Sequence, residues 1–352
     1  MRINRPFVFS ALTLLGSIAG FPGTSHAHRG FGGQLCSLGT AAVGQPATLI
    51  CKNILTGSIT QSIAVGPTVS AAGAIGGSLA SGADRVLVTN QADGALLFKQ
   101  ADGRLKSPVK LETAGEGSLS GALSSNGAYV LSGRLLRFFP YGQTWAGSSQ
   151  QLLLGDGSAA EVTLTNRYAY VSEKNGSLEA FALGRDGSLV GNATAVSGIA
   201  PGTIVGITGS QELVVAPIAH LATNFNAASI TVSGAASQQQ VVATKELAAC
   251  WSANDDGEVC VSNPGSMTVS CGRLGGGGFE SYTSAAASTA GMSAFDLDMR
   301  DGLVGIQAVR AGVPVLLTYT RSDHADFLSL VSEFPVGTTL AAGALLLPQL
   351  SR

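Results

Sequence analysis

The sequence predicts an all-β fold, a β-propeller of seven four-stranded blades, and three observations support that prediction. The stretch from Arg85 to Leu105 joins a β-branched run, a polar corner and a second apolar run, and it returns from Arg167 to Leu189 and from Glu258 to Leu274. One apolar anchor recurs in each unit at intervals of 38 to 46 residues, the period of four-stranded blades. Asp-Gly and Asn-Gly dipeptides, which tight hairpins need for positive φ, separate the runs.

The anchors are interpreted as lying on the second strand of each blade. They are Leu49, Leu87, Val130, Tyr170, Val214, Cys260 and Val304. A second register supports them, because Gly followed by Ser begins several units, as at Gly77-Ser78, Gly117-Ser118 and Gly157-Ser158. We interpret these segments as innermost strands, where only small side chains allow neighbouring backbones to approach closely.

The two ends of the chain are predicted to complete one blade together. The segment from Leu340 to Leu347 has the composition of an innermost strand with no blade after it, whereas the first unit, near Leu49, lacks such a strand. We therefore expect the C-terminal strand to close the ring. Closure removes exposed sheet edges, which would otherwise promote aggregation.

The N-terminus has the features of a secretory signal peptide cleaved after Ala27. Arg2 and Arg5 precede an apolar run, and a small-x-small cleavage signal ends the segment. A transmembrane anchor is disfavoured because glycine and proline cut the run short of the roughly 20 residues that a span needs. We expect a secreted or periplasmic protein with a single propeller domain over residues 28–352 and no membrane span.

Composition limits the classes of partner. Only 12% of the residues are charged and the formal net charge is -2, so the sequence lacks the basic footprint of a nucleic-acid-binding protein. The spacing of calcium-loop ligands is absent, and neither a metal nor another cofactor is expected. The expected partner of the monomer is a small molecule, a carbohydrate or a protein at the axial or loop face.

All five cysteines follow the predicted cleavage site, and an oxidising compartment favours disulfides. Cys36 and Cys51 are the most plausible pair. Cys250, Cys260 and Cys271 are interpreted as lying on successive strands, which leaves one of them without a partner. Their pairing stays open, because connectivity cannot be deduced from one sequence.

Three segments carry a resemblance to a known family. They are YVSEKNGSLEAFALGRDGSL (Tyr170 to Leu189), ACWSANDDGEVCVSNPGSMTVS (Ala249 to Ser270) and FPVGTTLAAGALL (Phe334 to Leu346). These segments resemble the lactonase-like seven-bladed β-propellers, which include bacterial 6-phosphogluconolactonase and fungal 3-carboxymuconate lactonizing enzyme, and most closely their secreted branch. The resemblance covers nearly all of the chain after the signal peptide, and its motifs are specific for the fold rather than for the chemistry.

The resemblance implies an active site with a His on one blade and an Arg and a Glu on the next. Glu173 matches the family's glutamate, but Gly117 to Leu123 stands where the His is expected and Gly157 to Glu161 where the Arg is expected. These departures remove the groups that would polarise or protonate a lactone. We therefore expect a non-catalytic binding or surface protein, and the alternative is a lactone hydrolase or muconate-type cyclase that uses Glu173 and His220.

Acidic residues on the predicted innermost strands are a second set of candidates. Alternation places Asp296 and Asp298 on one face of a strand, and Glu161 lies on another innermost strand. Together they would line a cation or polyol site at the axis. The alternative is a structural role, in which water or the backbone of the neighbouring blade satisfies them, because buried carboxylates need partners in any case.

Aromatic residues concentrate on one connection, from Phe138 to Trp145. Tyr141 and Trp145 are the candidates there for contact with a carbohydrate or a peptide. The alternative is ordinary packing at the edge of a blade.

Overall fold

The computed structural model describes residues 33–69, 78–197, 199, 201–211, 213–219, 226–233, 236–243, 245–275, 278–289, 291–321 and 328–348. They belong to one compact unit and form seven four-stranded antiparallel sheets. None of them lies in a helix that is long and apolar enough to cross a membrane. The predicted signal peptide, residues 1–27, lies outside the described residues.

The strands are numbered in chain order. The first fourteen are β1 (Gly33–Thr40), β2 (Pro46–Asn53), β3 (Ile59–Pro67), β4 (Leu79–Ser81), β5 (Arg85–Gln91), β6 (Gly94–Ala101), β7 (Arg104–Leu111), β8 (Ser118–Leu123), β9 (Gly127–Ser132), β10 (Leu135–Pro140), β11 (Ser148–Gln151), β12 (Ala159–Leu164), β13 (Tyr168–Glu173) and β14 (Leu178–Leu183). The second fourteen are β15 (Leu189–Ala195), β16 (Thr208–Ser210), β17 (Leu213–Ile218), β18 (Asn226–Ser233), β19 (Ala236–Ala243), β20 (Trp251–Asp255), β21 (Glu258–Asn263), β22 (Thr268–Gly275), β23 (Gly278–Ser288), β24 (Ser293–Arg300), β25 (Leu303–Arg310), β26 (Val313–Arg321), β27 (Leu328–Pro335) and β28 (Leu340–Pro348).

Six of the sheets use four consecutive strands each, and the sheet at the N-terminus has the order β28-β1-β2-β3. The register between β1 and β28 runs from Gly33 opposite Pro348 to Thr40 opposite Leu340. The innermost strands contact one another in the series β28, β4, β8, β12, β16, β20, β24 and back to β28. The prediction of an all-β propeller with four-stranded antiparallel blades is confirmed.

One anchor was assigned to the wrong strand. Six of the seven anchors lie on the second strand of their sheets, but Leu49 lies on β2, the third strand of its sheet. The reason is that β1 (Gly33–Thr40), which the sequence analysis did not identify as a strand, takes the second position beside β28.

Predicted Asp-Gly turns connect several pairs of strands. Asp102, Asp256 and Asp301 have φ values of 53°, 47° and 52°, and the glycine that follows each also has positive φ. Two successive residues with positive φ define the type I′ turn, whose twist matches that of the flanking strands. These dipeptides therefore fix the hairpins β6–β7, β20–β21 and β24–β25.

Among the described residues, the core forms seven hydrophobic clusters, and each cluster joins two neighbouring sheets. Alternation along the second strands divides the side chains between the two faces. On β5, for example, Val86 and Val88 pack with the sheet that contains β28, whereas Leu87 packs with the following sheet. The two faces of each sheet are thus both buried, which explains the nearly continuous apolar runs in the second strands.

Two disulfides connect neighbouring strands of one sheet. Cys36 and Cys51 lie opposite each other on β1 and β2, which confirms the predicted pair. Cys260 and Cys271 lie opposite each other on β21 and β22. Cys250 is free, as expected for one of the three remaining cysteines.

Replacing both Cys36 and Cys51 by serine should lower the free energy of unfolding by about 2–3 kcal/mol, because the disulfide restricts the unfolded chain over a separation of 15 residues. Denaturant unfolding measures this difference. The control Cys250→Ser removes a thiol that forms no disulfide and should change the free energy by less than about 1 kcal/mol. An equal loss in the two variants would contradict the pairing.

Candidate ligand-binding site

A cavity of about 250 Å³ lies on the axis of the propeller. All seven innermost strands, or residues next to them, contribute to its wall. The lining consists of residues 79–81, 121–123, 161–164, 207–209, 252–254, 296–298 and 344–345. Its only charged members are Glu161, Asp296 and Asp298, and the lining contains no Lys, Arg or His among the described residues.

Glu161 on β12 binds the backbone of the next sheet. Its Oε2 accepts a hydrogen bond of 2.7 Å from the amide of Ile207, just before β16. Burial in the wall of the narrow channel raises the pKa of Glu161 well above its usual value, and the nearby charge of Asp296 raises it further. The Ile207 amide opposes this shift because it stabilises the ionised carboxylate. Glu161 is thus a structural link between two innermost strands and an acidic group of the channel.

Asp298 forms the corresponding link on the other side of the axis, from β24 to β28. Its Oδ2 accepts a hydrogen bond of 2.7 Å from the amide of Leu346, and its Oδ1 accepts one of 2.9 Å from Met299. Burial raises the pKa of Asp298 to about 6, while the two amides and the charge of Arg300 act in the opposite direction.

Asp296 completes the group of carboxylates. Its Oδ1 accepts a hydrogen bond of 2.8 Å from the amide of Leu297 on the same strand. Asp296 and Asp298 both line the cavity, as expected from the alternation of side chains along β24. The alternative considered for these carboxylates was a structural role at the backbone of a neighbouring blade. Glu161 and Asp298 fit that role, because each accepts a hydrogen bond from an amide of a neighbouring sheet.

Neutral polar groups add to the cavity wall and were not singled out from the sequence. The amide Nδ2 of Asn254 on β20 donates 2.8 Å to the carbonyl of Gly209 and also contacts the hydroxyl of Thr208. Ser252, two residues earlier on the same strand, lines the cavity as well. Ser252 and Asn254 could have been identified from the sequence, because alternate residues of an innermost strand face the same side.

Glu173 does not line the cavity. It lies at the end of β13 and pairs with Ala159, where β12 begins, whereas the cavity contacts β12 from Glu161 to its last residue, Leu164. The side chain of Glu173 is fully buried, and its Oε2 accepts a hydrogen bond of 2.6 Å from the hydroxyl of Ser158. The glutamate that the family resemblance identified is therefore close to the cavity along the chain but is not part of its wall.

The environment of Glu173 favours its neutral form. Burial raises its pKa to about 7, and the charges of Glu179 and Asp156 contribute in the same direction. The Ser158 hydroxyl and the charge of Lys174 act against this shift. His220, the proposed partner of Glu173 in the enzyme hypothesis, lies outside the described residues.

The aromatic candidates lie on the connection between β10 and β11, outside the cavity lining. The Tyr141 hydroxyl donates 2.7 Å to the carbonyl of Ser124, and the Arg85 guanidinium lies 4.2 Å from the centroid of its ring. Trp145 is 66% exposed. Packing thus holds Tyr141 in place, while Trp145 offers an aromatic surface to solvent.

The described residues contain no group of three or more His, Cys, Asp or Glu side chains placed to hold a metal ion. The three carboxylates of the cavity therefore do not form a preassembled metal site.

Comparison with known proteins shows similarity of fold. No protein-family model matches the sequence, and no curated protein matches it. A Bacteroides fragilis structure described provisionally as a 6-phosphogluconolactonase shares 14% identity, with a TM-score of 0.61, over 90% of this chain and 98% of its own. A Bacteroides uniformis structure with the same provisional description shares 12% identity, with a TM-score of 0.59, over 89% and 99% of the two chains. The computationally designed Ika8 protein shares 12% identity, with a TM-score of 0.55, over 91% and 95%.

These identities establish the class of fold and leave the chemistry open. The chain has the propeller fold of structures described as lactonases, and a designed protein matches it over a comparable length. Function must therefore be argued from the site itself.

Replacing Asp298 by asparagine should reduce the pH dependence of stability. The pKa of Asp298 is about 6 in the folded state and 3.8 in the reference state, so folding favours its protonated form. Its contribution is therefore fully present below about pH 4 and is lost as the pH rises through about 6, a change of about 3 kcal/mol that Asp298→Asn should abolish.

Urea unfolding at pH 4, 5, 6 and 7 measures this contribution as the difference between the variant and the wild type. Asp301→Asn is the matched control, because the Asp301 side chain on the adjoining turn is 80% exposed. The control should retain the wild-type profile. A parallel profile for Asp298→Asn and wild type would contradict the prediction.

Proposed function

We propose that this protein is an exported, lactonase-like propeller that binds a small cationic or hydroxyl-rich ligand in its axial cavity and does not hydrolyse lactones. In this proposal the seven sheets are the blades of a ring that the C-terminal strand closes. The observation that carries the ligand class is the wall of the cavity, where Glu161, Asp296 and Asp298 are the only charged groups among the residues that the structure describes.

The chemistry of the wall supports this ligand class. A carboxylate oxygen can accept more than one hydrogen bond, so the three carboxyl groups can accept from the ammonium or hydroxyl groups of a ligand in addition to backbone amides. Asn254 and Thr208 provide further polar contacts. The volume of about 250 Å³ is below the range of typical drug-sized sites, so the ligand is no larger than about one sugar ring.

The same wall is unsuited to lactone hydrolysis. Attack on a lactone develops negative charge on the carbonyl oxygen, and enzymes stabilise that charge with hydrogen-bond donors or cations. Carboxylates at the axis would repel it. The segments where the family resemblance predicts a His and an Arg contain neither residue, and they run from Gly117 to Leu123 and from Gly157 to Glu161.

Export has support from two independent features. The segment before Ala27 has the pattern of a signal peptide, and two disulfides are formed. Disulfides persist in oxidising compartments and are rare in the cytosol.

A lactone hydrolase or lactonizing enzyme is the second candidate. It has support from one specific observation, because the pKa of Glu173, about 7, suits a general base at neutral pH. The likeness of fold to the two Bacteroides structures is consistent with this candidate. Full burial of Glu173 argues against it, since a base must reach the substrate.

Calorimetric titration with putrescine, glucosamine, glucose and xylitol tests the binding proposal. At least one of these probes should bind the wild-type protein. The double variant Glu161→Gln/Asp296→Asn should bind an amine probe at least about tenfold more weakly, because each lost charge-assisted hydrogen bond contributes more than about 1 kcal/mol. Glu173→Gln is the control and should leave the affinity unchanged. Absence of binding by all four probes, or equal affinity in the double variant, would contradict the proposal.

A lactone-hydrolysis screen tests the competing candidate. Purified protein should not accelerate the hydrolysis of five- and six-membered lactones at pH 7 over the uncatalysed rate. Hydrolysis that Glu173→Gln abolishes, and that Glu161→Gln retains, would establish the enzyme and overturn the proposed function.

A further inference from the structure

The connection between β11 and β12, residues 152–158, is fastened by two buried glutamates. At its start, the amides of Leu153 and Leu154 donate 2.8 and 2.9 Å to the two carboxylate oxygens of Glu179 on β14. At its end, the Ser158 hydroxyl donates to Glu173. Glu179 is 1% exposed and Glu173 is fully buried. Two acidic side chains in the interior thus hold one surface connection.

Glu179 and Glu173 differ in the number of hydrogen bonds that their carboxylate oxygens accept. Each oxygen of Glu179 accepts a backbone amide, whereas Glu173 receives one hydroxyl on Oε2, and its Oε1 has no hydrogen-bond partner among the described residues. A buried carboxylate needs about two or three donors to be stable in the ionised form. The single hydroxyl does not meet this requirement, so ionisation of Glu173 leaves an unsatisfied charge in the interior.

Neighbouring charges increase the imbalance. Glu179 faces Glu173 from β14 and Asp156 faces it from the connection, and each disfavours a second negative charge. Lys174, the next residue along the chain, is the opposing cation. The turn after β13 packs closely on Gly202, and the described residues around Gly202, from 201 to 203, contain no titratable side chain.

We propose that Glu173 is a proton-controlled latch on the connection 152–158, closed when the carboxyl group is neutral and released when that group ionises above neutral pH. In the released state the connection moves away from β13 and admits water to the carboxylate. Release separates Asp156 from Glu173, breaks the 2.8 Å hydrogen bond from the Lys174 amide to the Ser158 carbonyl, and replaces the contact of the Ser158 hydroxyl by hydration. Neither Glu173 nor the connection 152–158 lines the cavity, so the latch is argued from contacts other than those of the proposed ligand site.

The direction of the pH effect follows from the burial. The pKa of Glu173 rises from 4.5 to about 7 on folding, so the protonated form is favoured in the closed state. The stabilising contribution is fully present below about pH 4.5 and is lost as the pH rises through about 7. Between pH 5.5 and 7.5 the equilibrium constant for release should therefore increase by about tenfold.

Amide hydrogen exchange in the intact mature protein tests the latch. After correction for the intrinsic pH dependence of exchange, the amides of Leu153 and Leu154 should lose about tenfold of their protection between pH 5.5 and 7.5. Glu173→Gln retains an acceptor for Ser158 without a charge, and its protection should be independent of pH. Asp156→Asn should move the wild-type midpoint to lower pH, because it removes one of the repelling charges. Glu280→Gln, an exposed glutamate on β23, is the matched control with wild-type behaviour.

A second measurement keeps the test decisive if Glu173→Gln does not fold. Carbon-13 titration of the glutamate carboxyl groups in the wild-type protein should show Glu173 with a midpoint near 7. A midpoint below about 5, near the usual value for glutamate, would overturn the proposal. Protection of Leu153 and Leu154 that does not change with pH in the wild type, or that changes equally in Glu173→Gln, would overturn it as well.

Discussion

Every sheet of this protein requires an apolar neighbour on each of its two faces. The second strands are buried on both sides, and each of the seven hydrophobic clusters is shared between two sheets. An open stack of such sheets would leave one apolar face exposed at each end. The cluster that joins β26 to β1 and β28 removes both of these faces at once. The arrangement of the sheets is thus imposed by hydrophobic burial, and the hairpin turns set the register within each sheet.

Convergence of the innermost strands explains why the axis is polar. Strands at the axis have a free edge, and their unpaired backbone amides need acceptors where no further strand can enter. Glu161 and Asp298 supply these acceptors to Ile207 and Leu346. The channel is therefore acidic in part for structural reasons, and a ligand that supplies donors would relieve the repulsion between Glu161 and Asp296. The binding role that we propose thus falls on side chains that already have a structural role.

Much of the fold could be predicted because its signals are local and repeated. The recurring apolar anchors, the Asp-Gly turns and the alternation at Asp296 and Asp298 each depend on residues that are near one another in sequence. The assignment of Leu49 failed because β1, which lies between β28 and β2 in the sheet, was not recognised as a strand. Pairing of Cys260 with Cys271 likewise depends on the register between two strands, which the cysteine spacing alone does not specify.

Prediction of the site was less complete, because a site depends on how deeply each side chain is buried as well as on its position along a strand. The family resemblance identifies Glu173 as the end of a second strand, but it does not reveal that the side chain is buried behind Ser158. Asn254 joins the cavity through the geometry of the innermost strand β20, which has no motif of its own. Tertiary packing therefore decides which side chains reach the cavity and which are buried away from it.

The pairing of β1 with β28 also has a consequence for biogenesis. The Ser37 hydroxyl donates to the carbonyl of Ala342 across a separation of 305 residues, so the sheet at the N-terminus cannot form until almost the whole chain has been synthesised. Contacts of such long range slow folding, because loop closure must precede the contacts that stabilise it. In the exported protein that we propose, this late pairing would keep the N-terminal sheet unformed until the chain has crossed the membrane.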